Sequence, residues 1–254
     1  MPNWSFNVVR IIGEHEELEK MIPELKITEN PFDFNTILKM PDELHNDPPV
    51  RTDLIEHQIA YYCKKENQPI PYCRSLPYHI ATDNLAKAAE LAPHENAVDV
   101  YDAGKKWFTR YQKYGHLTWY DWAVENWGTK WNSYNTYGPY WESDNVMVYT
   151  FDTAWTAPLP VIVALSYQHP SIVIEFEVSY EGGELADRYT FIGGDMLSRQ
   201  EQVGDTYIID PKTGIKYPNW DVVPSSVDAI EECDWTERET YDVSAYCKKL
   251  EESA

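Results

Sequence analysis

Between Ile172 and Tyr180 the chain alternates: Ile172, Ile174, Phe176, Val178 and Tyr180 point one way, and Glu175, Glu177 and Ser179 the other. A period of two over this length demands a strand with one face buried and one face wet, the mark of an antiparallel sheet. Residues 3–12 carry a second such pattern, with Trp4, Phe6 and Val8 set against Asn3, Ser5 and Asn7. Gly13 ends it. Glu14 to Leu25 follows at helical spacing, with Leu18, Met21, Ile22 and Leu25 on one face and Glu14, Glu16 and Glu17 in the first turn, where the helix dipole favours acids. Pro31 to Leu38 then reads as a strand through Phe32, Phe34 and Ile37, and Val146 to Asp152 as another. Ala157 to Gln168 reads as a helix with Pro158 near its first turn, where a missing N–H matters little.

The order strand–helix–strand, interruption, strand–helix–strand is that of a split βαβ, so the expected fold is α+β with a ferredoxin-like antiparallel sheet. The interruption, 40–140, reads as a helical insertion. It has helices over Asp53–Glu66, Thr82–Leu91 and Asp99–Tyr114, separated by proline-rich loops. The expected organisation is a ferredoxin-like domain over 1–195 with that insertion, then a β-hairpin and an acidic extension over 196–254. Short strands are expected at Arg188–Ile192 and Tyr207–Ile209, hairpin turns at Gly182-Gly183 and Gly193-Gly194, and a helix near Thr240–Leu250.

The segment Asp121-Trp-Ala-Val-Glu-Asn-Trp-Gly-Thr-Lys-Trp131 packs three tryptophans, a glycine and a Glu125/Lys130 pair, read as buried, into eleven residues. The structural reading outweighs the binding one. Trp127 and Trp131 would pack on the sheet, Gly128 would permit a close backbone approach, and Lys130 would pair locally.

The net charge is −21, from 42 acids and 21 bases. Phosphate-based binding of nucleic acid needs clustered Lys and Arg, so the charge argues against direct nucleic-acid contact and favours a basic partner. The excess is uneven: −8 over residues 1–150 and −13 over 151–254. Between Asp221 and Asp242 lie eight acids and one Arg: Asp221, Asp228, Glu231, Glu232, Asp234, Glu237, Glu239 and Asp242. Such density could mimic the phosphate array of duplex DNA, with Trp220, Trp235 and Tyr241 as anchors, or simply be a solvated tail.

Four segments carry a family resemblance: Met1-Pro-Asn-Trp-Ser-Phe-Asn7; Phe32-Asp-Phe-Asn-Thr-Ile37 with Met40-Pro-Asp-Glu-Leu44; Glu125-Asn-Trp-Gly-Thr-Lys-Trp131; and Phe151-Asp-Thr-Ala-Trp-Thr-Ala-Pro-Leu-Pro160. Together they resemble the YubB-type ferredoxin-like domain proteins of phages and conjugative plasmids, over roughly residues 1–195. The resemblance implies a mobile-element accessory protein with a ferredoxin-like sheet, and no catalytic residues. It marks Trp4, Glu125, Asn126, Trp127, Gly128, Lys130, Trp131, Asp152 and Trp155 as motif positions, read as structural.

No catalytic constellation accompanies these residues. Asp152, Glu175, Glu177 and Glu181 could meet as a metal or acid–base cluster, but Glu175 and Glu177 fall on the polar side of their strand and read as solvated. There is no His-Glu-x-x-His, no Gly-x-Ser-x-Gly and no phosphate-binding glycine loop. No metal or cofactor is expected. Cys63, Cys73, Cys233 and Cys247 read as reduced thiols. The start, Met1-Pro-Asn-Trp4, lacks signal-peptide features, and no apolar run is long enough for a membrane span. A cytoplasmic location in a bacterial host is expected. The leading functional expectation is a non-enzymatic protein that binds a basic host surface, through the tail acids and Trp235. One rival is an enzyme acting on nucleotides or nucleic acid through Glu125, Lys130 and Asp152. Another is an oligomeric assembly protein.

Overall fold

The computed structural model describes residues 3–45, 52–71, 84–180, 186–203 and 234–247, with short stretches at 207–209, 211, 213–214 and 216–218. The chain divides into two units: Met1–Lys39 with Glu125–Ala254, and Met40–Val124.

The first unit is built on β1 (Trp4–Ile12), α1 (His15–Glu24) and a short helix α2 (Phe34–Ile37). The second unit contributes α3 (Asp42–His45), α4 (Thr52–Glu66), α5 (Asn84–Leu91), α6 (Ala97–Tyr114) and most of α7 (Trp119–Asn126). The chain then returns to the first unit through β2 (Tyr134–Ser143), β3 (Val146–Ala154), α8 (Leu159–Gln168), β4 (Val173–Tyr180), β5 (Asp187–Ile192), β6 (Asp195–Gln202), β7 (Tyr207–Ile209), β8 (Lys216–Pro218) and β9 (Trp235–Arg238). Among the described residues, seven strands form one antiparallel sheet in the order β2-β3-β1-β4-β5-β6-β9, and β7 pairs with β8 apart from it. The run β1-α1-β2-β3-α8-β4 with spatial order β4-β1-β3-β2 is the split βαβ of the ferredoxin-like fold.

Three sequence expectations change here. Residues 31–38 form no strand. Asp33 accepts from Asn35 N at 2.8 Å and caps α2, so Phe32 and Phe34 reach the core from a capped turn. The second strand of the split βαβ is β2, about a hundred residues later. The helical insertion accordingly ends at 124 and not at 140. At the other end, β6 and β9 extend the main sheet, so 196 marks no break. The Gly193-Gly194 turn joins β5 to β6 with both φ values positive, at 57° and 88°, as a tight hairpin requires. Gly182-Gly183, Thr82, Trp220, Cys73, Cys233 and residues 248–250 lie outside the described residues.

Sheet register separates two faces. Val9 and Ile11 of β1, Tyr149 and Phe151 of β3, and Ile174 and Phe176 of β4 share one face and are buried with Leu18, Met21, Ile162 and Leu165 of the helices. Ser5 and Asn7 fall on this face and are buried, against the expectation that they face water. Asn7 is accommodated by donating to the Phe151 carbonyl and to Thr153 Oγ1. Trp4, Phe6, Val8 and Arg10 occupy the opposite face.

In the second unit, Ile55, Ile59, Cys63, Phe108 and Leu117 form a core with Trp107 and Tyr111 packed on it. Burial pushes the Cys63 thiol up to about 11, so it stays protonated at neutral pH. Helices α4 and α6 approach closely: a Cβ on Gly104 would lie 2.1 Å from the Gln58 carbonyl oxygen and 2.7 Å from Tyr62 Cβ. Gly104→Ala must therefore push the helices apart. Overpacking of this kind costs about 1–3 kcal/mol, more than the roughly 1 kcal/mol that alanine returns in helix propensity. Amide exchange along α4 and α6 is expected to speed up correspondingly. Unchanged or slower exchange would show that the helices do not meet at this glycine. No helix among the described residues is long and apolar enough to cross a membrane.

Candidate interaction surface

The tryptophan-rich segment divides its rings between the interior and the surface. Trp127 is 3% exposed, its Nε1 donates to the Leu38 carbonyl at 2.8 Å, and its ring meets Phe34 edge-on. Gly128 follows at φ 79°, and a Cβ there would stand 2.8 Å from Pro160 Cδ and 3.1 Å from the Ala157 carbonyl oxygen. Only glycine combines that backbone with that proximity. Thr129 Oγ1 donates to the Ala154 carbonyl, and Thr156 Oγ1 to the Gly128 carbonyl. Asn132 accepts from Phe34 N and donates to Asp33, each at 2.8 Å. Residues 127–133 are thus fastened to the turn after β3 and to the cap of α2.

From this rigid base the remaining rings project outward. Trp131 is 37% exposed and Trp155 42%. The Lys130 ammonium lies over both, 4.5 Å from the Trp131 centroid and 5.0 Å from that of Trp155. Trp4 stacks on Tyr134 at 5.3 Å and tilts against Trp131 at 6.1 Å. Along β2, an edge strand of the sheet, Tyr134 is 56% exposed and Tyr137 69%, with Tyr140 and Trp141 also open to solvent. Pro139 in this strand lacks an N–H, which an edge can spare. Asp152 accepts from Asn135 Nδ2 at 2.9 Å, and Glu142 and Asp144 stand exposed at the strand's far end.

A second constellation lies on the sheet face opposite the helix-packed core. Glu177, 2% exposed, receives Arg10 Nη1 at 2.8 Å and Arg188 on its other oxygen, while Arg10 Nε donates to Glu142 at 3.0 Å. Burial alone would lower the Arg10 guanidinium, but its pairs with Glu177 and Glu142 outweigh this and hold it above the ordinary arginine value. Val8 and Val148 pack beside Phe6, Val146 and Trp235, and the Arg188 guanidinium sits 4.3 Å from the Trp235 ring centroid. Glu177 is therefore no solvated carboxylate. Its neighbours in space are arginines supplied by β1 and β5.

The sequence-predicted positions separate accordingly. The motif residues Trp4, Lys130, Trp131 and Trp155 come together as one aromatic surface around a cation, and Trp131, expected to pack on the sheet, is 37% exposed. Glu125 is exposed rather than buried, and Asn126 is half-buried. Asp221, Asp228, Glu231 and Glu232 lie outside the described residues. Asp234, Glu237, Glu239 and Asp242 are exposed. Glu237 receives Gln200 Nε2 at 2.6 Å, and Asp242 caps Ser244 N at 2.8 Å. Trp235, expected as an exposed anchor, is instead half-buried against Arg188. No group of three His, Cys, Asp or Glu among the described residues could hold a metal ion. Sequence reasoning missed Tyr134, Tyr137, Tyr140 and Trp141. Four aromatics within eight residues was the available signal.

Residues 126–217 match a family model described as the ferredoxin-like domain in Api92-like protein. The match begins just before the clamped segment and takes in β2 to β7 and α8. Among solved structures the chain is similar to the crystal structure of the protein api92 from Yersinia pseudotuberculosis, at 11% identity and a TM-score of 0.41, over 81% of this chain and 99% of that one. No curated protein matches.

Proposed function

We propose that this chain is a binding protein of a mobile element, of the YubB type, that docks on a basic surface of a host protein. The supporting observation is the open aromatic row on one face of β2, Tyr134, Tyr137 and Tyr140, on the unit that holds most of the negative charge. By sequence that unit has 30 acids and 12 bases, a net of −18, against 12 and 9, a net of −3, for Met40–Val124. Large rings left in water are a cost that a partner can remove, and aromatics dominate interface energetics. Surrounding carboxylates steer a cationic partner and reject an anionic one.

The test compares wild type with Tyr134→Ser/Tyr137→Ser/Tyr140→Ser as immobilised bait in bacterial lysate at low and high salt. The expected result is a defined set of basic proteins held by wild type at low salt and released by the triple variant, because each interface tyrosine contributes about 1–2 kcal/mol. Retention that ignores the three substitutions, or none at low salt, would overturn the proposal.

A further inference from the structure

The geometry points to the Trp131–Trp155 pair as a receptor for an arginine side chain of the basic partner, occupied in the free protein by its own Lys130. The inference rests on the docking reading above and names the contact that would anchor it.

Three observations carry it. First, one ammonium lies within 5.0 Å of two indole centroids, inside the range at which a cation is held by the ring quadrupole. Second, the indoles remain 37% and 42% exposed although burial of such rings is strongly favourable, so the pair is half-assembled from the standpoint of the hydrophobic effect. Third, Trp155 holds a φ of 73°, a left-handed backbone that bulky residues rarely adopt. The neighbours impose it. Trp155 N donates to the Asn3 carbonyl at 2.9 Å, and on either side of it Thr129 Oγ1 donates to the Ala154 carbonyl and Thr156 Oγ1 to the Gly128 carbonyl. A ring displayed outward on a strained and tethered backbone is fixed in place before any partner arrives, which lowers the ordering entropy lost on binding.

Arginine is the better occupant for a physical reason. Its guanidinium is flat and weakly hydrated, so it stacks between rings at less desolvation cost than an ammonium. Lys130 is compact and strongly hydrated, and its flexible stem lets it swing back into water when displaced. The −18 charge of the unit concentrates cations near the surface without choosing among them. The choice falls to the rings.

The test titrates end-capped hexa-arginine and hexa-lysine peptides, matched in charge, into the full chain by calorimetry. Wild type is expected to bind the arginine peptide about fivefold tighter. Lys130→Gln should widen that ratio, since the site no longer has an internal occupant. Trp155→Gly, which suits the left-handed backbone, and Trp131→Ala should each bring the ratio to about one while leaving hexa-lysine affinity unchanged. Equal affinity of wild type for both peptides, or a ratio insensitive to both tryptophan variants, would overturn the receptor and leave the docking reading intact. Binding of neither peptide at low salt would overturn both.

Discussion

Glu177→Ala is expected to destabilise the sheet by about 3–5 kcal/mol, the cost of stranding a buried charge. Glu177 is 2% exposed on the central strand β4, between Arg10 on β1 and Arg188 on β5. Its removal leaves two guanidinium groups facing a methyl group. Arg188 is 29% exposed and can turn to water, but Arg10 is nearly enclosed, with a side chain 9% exposed, and loses its closest carboxylate. The double variant Arg10→Met/Glu177→Leu separates charge from space-filling. With no charge left inside, it should recover most of the loss, because buried ion pairs replaced by packed apolar groups are often neutral. Amide exchange in β1 and β4 reports this locally, which matters in a chain of two units whose unfolding need not be one transition. A single variant that costs under about 1 kcal/mol would mean that water reaches the pair and screens it.

The same residue shows where sequence patterning runs out. Alternation placed β4 correctly and assigned Glu177 to the face away from the apolar core. What alternation does not carry is the covering of that other face. Arg10 lies 167 residues earlier in the chain, and only the register of β1 on β4 brings it across. Helices α1, α4 and α6 were legible because each buries a stripe, and a stripe leaves a period. Strand β2 buries none. It runs along the edge of the sheet with most of its side chains in water, so no selection for burial imposed a rhythm on it. Phe32 and Phe34 erred in the opposite direction. They alternate like strand residues, but Asp33 between them caps a helical turn, and both rings enter the core. The candidate surface was half legible for the same reason. Its tryptophans stood out by their density in the sequence and the β2 tyrosines did not, and density does not say which rings go inward.

Trp127→Ala decides that division and carries the other large expected effect. Trp127 fills space beneath the Gly128 turn, meets Phe34 edge-on at 5.8 Å, and satisfies the Leu38 carbonyl. Truncation leaves a cavity and a carbonyl without its donor, for a loss of about 3–5 kcal/mol. Trp131→Ala, four residues on, removes a ring already 37% exposed and should change stability by no more than about 1 kcal/mol. The binding readouts should reverse the order. Trp131→Ala abolishes the preference for the arginine peptide, while Trp127→Ala, measured at a temperature where it remains folded, keeps part of it. The two indoles share one motif but act on different terms, one on the folded state and one on its partner. Equal destabilisation by both variants would show that the whole segment is internal packing, and the aromatic surface would then lose its claim to a binding role.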